Sequence, residues 1–365
     1  MDPMRIIEKY IEIVEHPSFI KHWKQLSERL ISGISRGYRQ GYREPEIVKA
    51  VNEVINSIDN FESPGRFFNI ITSSIFIHGN ISFVNFKYYG TETTRELGDI
   101  IFIISIVYNE QKYFEKMTIT QIKKSPSIFW KFNNNSAREQ LYLLSRFPPF
   151  RGTKGSIVPQ RNDYKLPNYS GCLGSYGLFY SPGDMVFSSA KHIESLIIDK
   201  HVLKWRDVIS IREPETANVS YYRTFEEQKV ILANFWRYCN FFNCNLFPVL
   251  GNSCLAHNAF DFSDKYLRGF IGELIYASGY YHDENTLKFL MDLLEAVREK
   301  GGELKEFVEK FLEYPYNPIG KDFYDPSNSQ YNNFHKEGGL GLVHTTIKLN
   351  GAKHKHEDNN SFSWM

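Results

Sequence analysis

Residues 96–124 read ELGDIIFIISIVYNEQKYFEKMTITQIKK. Nine consecutive residues, Ile100 to Tyr108, are almost wholly apolar, and a polar turn separates them from a second strand-like run that ends at Lys123. β-Branched and aromatic residues dominate both runs, which is typical of paired strands. Asp99 stands at the head of the first run. Because burying a charge is costly unless it is paired or bound to a metal, this stretch indicates both a sheet and a site.

The position of the turn decides which side chains of this hairpin share a face. Directly opposed residues of an antiparallel pair project to the same side of the sheet. If the turn centres on Glu110, Asp99 lies opposite Gln121 and both share one face with Lys123. If the turn centres between Glu110 and the next residue, Asp99 lies opposite Ile122 and the three polar side chains divide between the two faces. Convergence therefore requires an odd loop or a bulge.

Convergence of these side chains predicts a magnesium site. The carboxylate of Asp99, the carboxamide oxygen of Gln121 and the backbone carbonyl of Ile122 are the hard oxygen ligands that Mg²⁺ prefers. Glu46, on a helix predicted over residues 44–58, supplies a further carboxylate. A bound divalent ion polarises a phosphate and acidifies its water, and Lys123 is suited to orient that water and to stabilise developing charge.

With its acid-bearing helix, a strand, a second strand opened by Gly-Asp and a third closed by Gln-x-Lys, the sequence resembles the PD-(D/E)XK nuclease superfamily. It is most similar to the Mrr-like branch, in which glutamine replaces the second acid. The resemblance covers roughly residues 40–145, and Gly98 stands where the motif has proline. It implies an α/β fold with a restriction-endonuclease-like core, a mixed sheet flanked by helices, and a Mg²⁺- or Mn²⁺-dependent endonuclease activity.

The resemblance also assigns individual roles. It implies that Asp99 binds the metal, that Gln121 stands at the acid position and that Lys123 is the catalytic lysine. Glu46 is the expected helix acid, and two further glutamates, Glu44 and Glu53, compete with it for that role. The implied setting is restriction-like or antiviral defence. The alternative is a degenerate nuclease fold that binds nucleic acid or scaffolds an assembly without catalysis, since glutamine removes one negative charge from the site.

Basic residues among aromatic ones indicate where a nucleic acid would bind. Arginine and lysine contact phosphates, while aromatic rings stack on exposed bases. The alternative is that residues 146–165 form a loop packed down by its own aromatic residues. DNA is favoured over RNA as the partner. The candidate contacts are Lys124, Arg146, Arg151, Lys154 and Arg161.

Composition bounds the class of protein and its domain organisation. The chain has 365 residues, 42% of them hydrophobic and 16% aromatic, and its net charge of +1 gives no global field for nucleic acid. We expect a nuclease-like domain over residues 1–190, a mainly helical second domain over 191–320 and a partly flexible C-terminal extension over 321–365. Helical periodicity predicts four helices in the second half, over residues 225–242, 264–277, 284–299 and 303–314.

The remaining sequence signals concern location and partners. The N-terminal residues lack the pattern of a signal peptide, and no apolar run reaches the ~20 residues of a bilayer span. We therefore expect a cytoplasmic protein that does not enter a membrane. The second half is a candidate for substrate recognition, homo-oligomerisation or binding a partner protein of a defence system. The four cysteines, Cys172, Cys239, Cys244 and Cys254, are expected to be buried thiols, and a zinc site of Cys239, Cys244, Cys254 and His257 is the alternative.

Overall fold

A computed structural model describes residues 3–58, 60–79, 82–126, 129–132, 134–160, 162–167, 172–197, 202–204, 255–279, 281–316 and 339–350. In these ranges three helices precede the first strand, and five more are distributed among the later strands. The helices are α1 (Pro3–Val14), α2 (Pro17–Arg39), α3 (Glu44–Asn56), α4 (Asn135–Arg146), α5 (Ala190–Ile197), α6 (Ala259–Leu267), α7 (Glu284–Arg298) and α8 (Gly302–Leu312).

Most of the strands belong to one large sheet. The strands are β1 (Phe61–Glu62), β2 (Phe68–His78), β3 (Phe83–Tyr88), β4 (Thr91–Glu96), β5 (Ile100–Tyr108), β6 (Gln111–Ser125), β7 (Phe129–Lys131), β8 (Phe150–Gly152), β9 (Gly174–Tyr180), β10 (Asp184–Ser189), β11 (Val202–Lys204), β12 (Leu255–Ala256), β13 (Glu273–Ala277), β14 (Tyr281–His282) and β15 (Gly339–Leu349). In the described residues the large sheet has the order β1-β2-β15-β5-β6-β9-β10-β12, with β13 also beside β6 and β14 beside β13. A small sheet has the order β4-β3-β8, and β7 pairs with β11.

The large sheet is mixed and is flanked by helices on both faces, so the α/β class is confirmed. β15 runs parallel to β5, and β6 runs parallel to β9, whereas β5 and β6 are antiparallel. All nine residues of β5 are buried. Such a continuous apolar run is expected for a strand covered on both faces.

Alternation along β5 assigns its side chains to two helical layers. The even-numbered residues from Ile100 to Ile106 pack in one core with residues of α1, α2, α3 and α6. Ile101 and Ile103 pack in the other core, with residues of α4, α7 and α8. Asp99 and Gln121 continue the odd-numbered rows, so they lie on the face that α4 covers.

The last described strand lies in the middle of the sheet. β15 pairs with β2 along Gly339–Leu349 and with β5 from Gly341 to Leu349. Residues 339–349 of the expected partly flexible extension over 321–365 therefore form an ordered strand. The adjacent polar residues His344 and Thr345 lower the hydrophobicity of this strand, yet neighbours far away in the sequence bury both of them.

A buried polar cluster fixes β15 against β5 and β6. Lys112 Nζ lies 2.8 Å from Glu115 Oε2, and Ser105 Oγ donates to the same oxygen at 2.6 Å. Ser105 Oγ also lies 2.9 Å from His344 Nε2, and the Tyr316 hydroxyl donates to Glu115 Oε1. Burial lowers the pKa of Lys112, and burial together with the Lys112 charge holds the pKa of His344 well below its usual value. Charges buried in this way require such partners.

Strands from both sides of the predicted boundary at residue 190 build the large sheet. β12 pairs with β10, and β13 pairs with β6. The predicted helix over residues 264–277 is wrong in its second half, because α6 ends at Leu267 and β13 follows. Gly269 and Gly272, with φ of 74° and 93°, turn the chain between them. The helices predicted over 284–299 and 303–314 are confirmed as α7 and α8, whereas the helix predicted over 225–242 lies outside the described residues.

Across the ranges that the structure describes, none of the helices combines the length and apolarity needed to cross a lipid bilayer.

Candidate active site

A bulge in the β5–β6 hairpin sets which residues face each other at its far end. Asn109 and Glu110 form a tight turn in left-handed backbone, so Val107 pairs with Lys112. The next pair is Ile106 with Phe114, which leaves one extra residue in β6. That residue shifts the register by one.

Asp99 consequently lies beside Gln121. Ile100 is the last paired residue of this hairpin and lies opposite Thr120, and Asp99 precedes it with its carboxylate on Gln121 Nε2 and its N–H on the Thr120 carbonyl. Without the bulge, the hairpin's turn would pair Ile100 with Ile119 instead. The odd-numbered positions of both strands then share a face, as the sequence required for convergence. Lys123 follows two residues further along β6.

Asp99 is held at both its backbone and its carboxylate. Its N–H donates to the Thr120 carbonyl at 2.9 Å, and its carbonyl accepts from Gly341 N–H of β15 at 2.8 Å. Oδ2 accepts from the Ile122 N–H at 2.6 Å and from Nε2 of Gln121. The insertion of β15 therefore helps to fix the backbone of Asp99.

Gln140 on α4 completes the environment of Gln121. Its Nε2 donates to Gln121 Oε1 and, at 3.1 Å, to the Glu96 carbonyl. Gln121 Nε2, besides bonding Asp99, lies 3.3 Å from the Ile122 carbonyl. The predicted amide and carbonyl ligands thus lie beside the predicted carboxylate. Gln140 was missed by the sequence reasoning, although residues 136–144 predict a short helix and a glutamine on its apolar face is a usable signal.

The helix acid beside Lys123 is Glu44. Lys123 Nζ lies 3.2 Å from Glu44 Oε1, and Glu44 Oε2 accepts from the Lys124 N–H at 3.0 Å. Glu44 lies in the first turn of α3, where the helix dipole stabilises a carboxylate. Its position at the start of the helix lets it reach the end of β6.

Glu46 lies elsewhere, which corrects the preferred assignment of the helix acid. Its Oε2 accepts from the Arg43 N–H at 2.7 Å in a capping box, and its side chain is 45% exposed. Residues two apart on an α-helix point about 200° apart, so Glu44 and Glu46 face different directions. Glu53 is also away from the cluster, because its carboxylate pairs with Arg36 at 2.8 Å.

Three acids and one lysine interact electrostatically at this end of the sheet. Burial raises the pKa of Asp99 well above its usual value, and the charges of Glu44 and Glu96 raise it further, while Lys123 lowers it. Burial also raises the pKa of Glu96, against the opposing effect of Lys123. Burial, then Asp99 and Glu44, raise the pKa of the Tyr176 hydroxyl. Sequence reasoning missed Glu96, although it lies only three residues before Asp99, and it missed Tyr176, because only the folded chain brings β9 to the site.

The donor set suits Mg²⁺ by chemistry. A carboxylate, a carboxamide oxygen and a backbone carbonyl lie together, and Mg²⁺ sites usually take one or two carboxylates with waters and substrate phosphates. Within the described ranges, no group of three or more His, Cys, Asp or Glu side chains is arranged to hold a metal. The Nε2 atom of Gln121 faces Asp99, so a ligand role for its oxygen requires rotation of the carboxamide.

The candidate nucleic-acid contacts are dispersed. Lys124 Nζ donates to the Tyr42 carbonyl beside the cluster. Arg146, at the end of α4, pairs with Glu194 at 2.8 Å. Arg151 is exposed on β8, Lys154 is exposed in the following turn, and Arg161 lies outside the described residues.

The cysteine prediction is tested for one residue. Cys172 is a buried free thiol. Cys239, Cys244 and Cys254 lie outside the described ranges, and His257 Nδ1 lies 3.6 Å from an oxygen of Asp261.

Comparison of the chain with models of protein families, with curated proteins and with solved structures finds no match.

Proposed function

We propose that the protein is a metal-dependent nuclease that hydrolyses phosphodiester bonds with metal-activated water. The observation that carries this proposal is the contact of the Asp99 carboxylate with Gln121 Nε2 and the Ile122 N–H at the end of a buried hairpin. Lys123 follows on the same strand and pairs with the helix acid Glu44. A helix acid, an aspartate opening a strand and a Gln-x-Lys closing the next strand are the features on which the resemblance to PD-(D/E)XK nucleases rests.

The charge of the site supports a role for a cation. When ionised, Asp99, Glu44 and Glu96 carry three negative charges, and Lys123 carries one positive charge, so a net of two negative charges is left. The raised pKa of Asp99 expresses the cost of ionising a buried carboxyl beside two others. A divalent cation would offset that charge and favour the ionised form of Asp99.

Each residue has a role that follows from its surroundings. Bound Mg²⁺ or Mn²⁺ would supply polarisation of the phosphate and a more acidic water. Asp99 would hold the cation, and Gln121 would join it once its carboxamide turns and its oxygen leaves the hydrogen bond from Gln140. Glu44 positions the ammonium group of Lys123, which would stabilise charge developing on the phosphate. Water is the nucleophile, so no covalent bond to the protein forms.

We extend the proposal to an endonuclease of restriction-like or antiviral defence, acting on DNA in preference to RNA in the cytoplasm. This extension is supported by the resemblance alone. The second half of the chain would then recognise substrate, self-associate or bind a partner protein.

A cleavage assay tests the proposed activity. Purified protein is incubated with supercoiled plasmid and with single-stranded RNA, in Mg²⁺ or Mn²⁺ and with or without chelator. We expect cation-dependent cleavage that is lost in Asp99→Ala and in Lys123→Ala at equal folded fraction. If the parent does not cut, or if both variants cut as well as the parent, the proposal is wrong.

A second candidate is a non-catalytic nucleic-acid-binding or scaffold protein. The observation that favours it is that the polar groups of the site satisfy one another, since Gln121 Nε2 bonds Asp99 and Lys123 pairs with Glu44. Calorimetric titration with Mg²⁺ separates the two candidates. Binding that Asp99→Asn abolishes supports the nuclease, and a parent that binds nucleic acid but no cation supports the second candidate.

A further inference from the structure

The tip of the β3–β4 hairpin carries an exposed tyrosine in a costly conformation. Tyr89 is 72% exposed, and its φ is 45°, followed by Gly90 with φ of 90°. Two successive residues at positive φ are typical of a hairpin turn that favours asparagine and glycine. A bulky side chain is uncommon in this region of the Ramachandran map. The fold therefore keeps a large aromatic ring in solvent where a smaller residue would form the turn more easily.

Tyr89 belongs to a cluster of three tyrosines. Its ring centroid lies 4.8 Å from that of Tyr88 and 5.0 Å from that of Tyr142 on α4, and the Tyr88 and Tyr142 centroids are 5.1 Å apart. Tyr88 and Tyr142 are partly buried against the core. They therefore form a fixed base on which the exposed ring of Tyr89 rests.

A guanidinium group borders the same cluster. The Arg146 guanidinium lies 5.6 Å from the Tyr142 ring centroid, and the side chain stays 52% exposed beside Glu194. Lys87, next to the cluster on β3, is also exposed. Exposed aromatic rings beside basic groups bind single-stranded nucleic acid, because every base has a face to stack and every nucleotide has a phosphate to contact.

The cluster and the candidate active site share two elements. β4 runs from Thr91, paired with Tyr88 at the tip, to Glu96 at the acidic cluster. These five residue steps span about 17 Å, or about five nucleotides at the spacing of a stacked strand. α4 likewise carries Gln140 at the site and Tyr142 at the cluster.

We propose that Tyr88, Tyr89, Tyr142 and Arg146 form a stacking platform for unpaired bases, so that the strand cut at Asp99 is single-stranded where it crosses the hairpin tip. This inference rests on the proposed nuclease function for its link to cleavage. The platform itself is a binding site that does not require a cation.

Binding is therefore measured in chelator, where no cation-dependent cleavage occurs. Fluorescence anisotropy compares labelled oligothymidine, oligouridine and a duplex of the same thymidine strand. We expect the parent to bind single strands more tightly than the duplex, and Tyr89→Ala to weaken that binding about tenfold or more. Tyr89→Phe keeps the ring and should bind like the parent. The matched control is Phe260→Ala, which removes another exposed aromatic ring, 41% exposed, from α6 in the opposite helical layer.

A stacking signal separates base contact from phosphate contact. Strands containing 2-aminopurine should lose fluorescence on binding the parent and Tyr89→Phe, and lose less on binding Tyr89→Ala. A parent that binds neither single strand, or a Tyr89→Ala variant that binds and quenches like the parent, overturns the platform. A parent that shows these effects but cuts nothing in Mg²⁺ overturns the nuclease proposal and leaves the platform standing. Oligothymidine and oligouridine show whether the sugar matters.

Discussion

Lys123 Nζ lies 3.2 Å from Glu44 Oε1, and this ion pair joins the end of β6 to the first turn of α3. The contact makes Glu44 the helix acid of the candidate site. Two residues later on the same helix, Glu46 only caps the helix start. The two glutamates are therefore a natural pair of test and control.

We predict that Glu44→Gln lowers cation-dependent cleavage by about 10- to 100-fold, the usual cost of losing a residue that orients a catalytic group. The ammonium group of Lys123 loses its charged partner, while the shape of the side chain is kept. Glu46→Gln still accepts a hydrogen bond in the capping box, so its cleavage rate and melting temperature should match the parent. Initial rates at equal protein concentration check both. Equal rates for the two variants would remove Glu44 from the site.

We predict that the metal-free Asp99→Asn variant is more stable than the metal-free parent, by a margin that grows as the pH rises. Burial and the neighbouring acids raise the pKa of Asp99 in the folded state. The folded protein therefore holds a proton that the unfolded chain has released, and its stability falls as pH rises from about 3.9 through the raised pKa. Asparagine has no such proton, so urea unfolding in chelator should show a flatter pH dependence for the variant.

Mg²⁺ should reverse the order of stability of the parent and Asp99→Asn. A cation that binds only the folded protein raises its free energy of unfolding, and ionised Asp99 is required for that binding. In alkaline buffer, Mg²⁺ should raise the melting temperature of the parent and leave that of Asp99→Asn unchanged. An equal rise in both would show that the cation binds elsewhere.

We predict that His22 destabilises the protein in acid. It lies buried on α2 facing Phe61, and neither ring nitrogen has a hydrogen-bond partner in the part of the chain that the structure describes. Burial lowers the pKa of His22 to about 4. The unfolded chain thus binds an extra proton between its own pKa near 6.5 and about 4, and this residue's contribution falls by about 1.4 kcal/mol per pH unit as pH falls through that window.

His22→Phe removes this proton and should lessen the loss of stability between neutral and mildly acidic pH. Urea unfolding of the parent and the variant at several pH values measures the difference. The pKa of His344 is also lowered, and this histidine contributes the same pH dependence of stability to the parent and to the variant. The difference between their slopes therefore reports His22. An unchanged slope would show that His22 does not titrate in this way.

We predict that the buried pair of Lys112 and Glu115 is essential for stability. Glu115→Ala leaves a buried ammonium group unpaired and should cost about 3–5 kcal/mol. The control is Glu53→Ala, which removes an ion pair to Arg36 whose side chains are 37% and 51% exposed and should cost at most about 1 kcal/mol. Denaturant unfolding gives both values. Similar losses in the two variants would contradict the role of the buried cluster in holding β15.

Local periodicity predicted the elements that carry the site. The β-branched and aromatic residues of β2, β5 and β6 mark strands, and the apolar stripes of α3, α4, α7 and α8 mark helices. β15 was missed because its burial comes from partners more than 200 positions away, such as Ser105 beside His344. A strand whose polar residues are satisfied only in the folded protein carries no local signal of being central.

The site, like the fold, was predictable in part. Hairpin geometry identified Asp99, Gln121 and Lys123 as candidates, but left the bulge undecided. The choice of Glu44 over Glu46 depends on how α3 docks against the end of β6, which helical periodicity does not determine. Gln140 reaches the site through tertiary packing of α4, whereas Glu96 is already close to Asp99 in the sequence.

The most direct test is the anomalous difference map of crystals soaked in Mn²⁺. The predicted result is a manganese ion bound by oxygens of Asp99 and of the turned carboxamide of Gln121. The metal–oxygen distances should be about 2.0–2.2 Å, as for hard cations in octahedral sites. Full occupancy of Mn²⁺ elsewhere, with Nε2 of Gln121 still bonded to Asp99, would contradict the account.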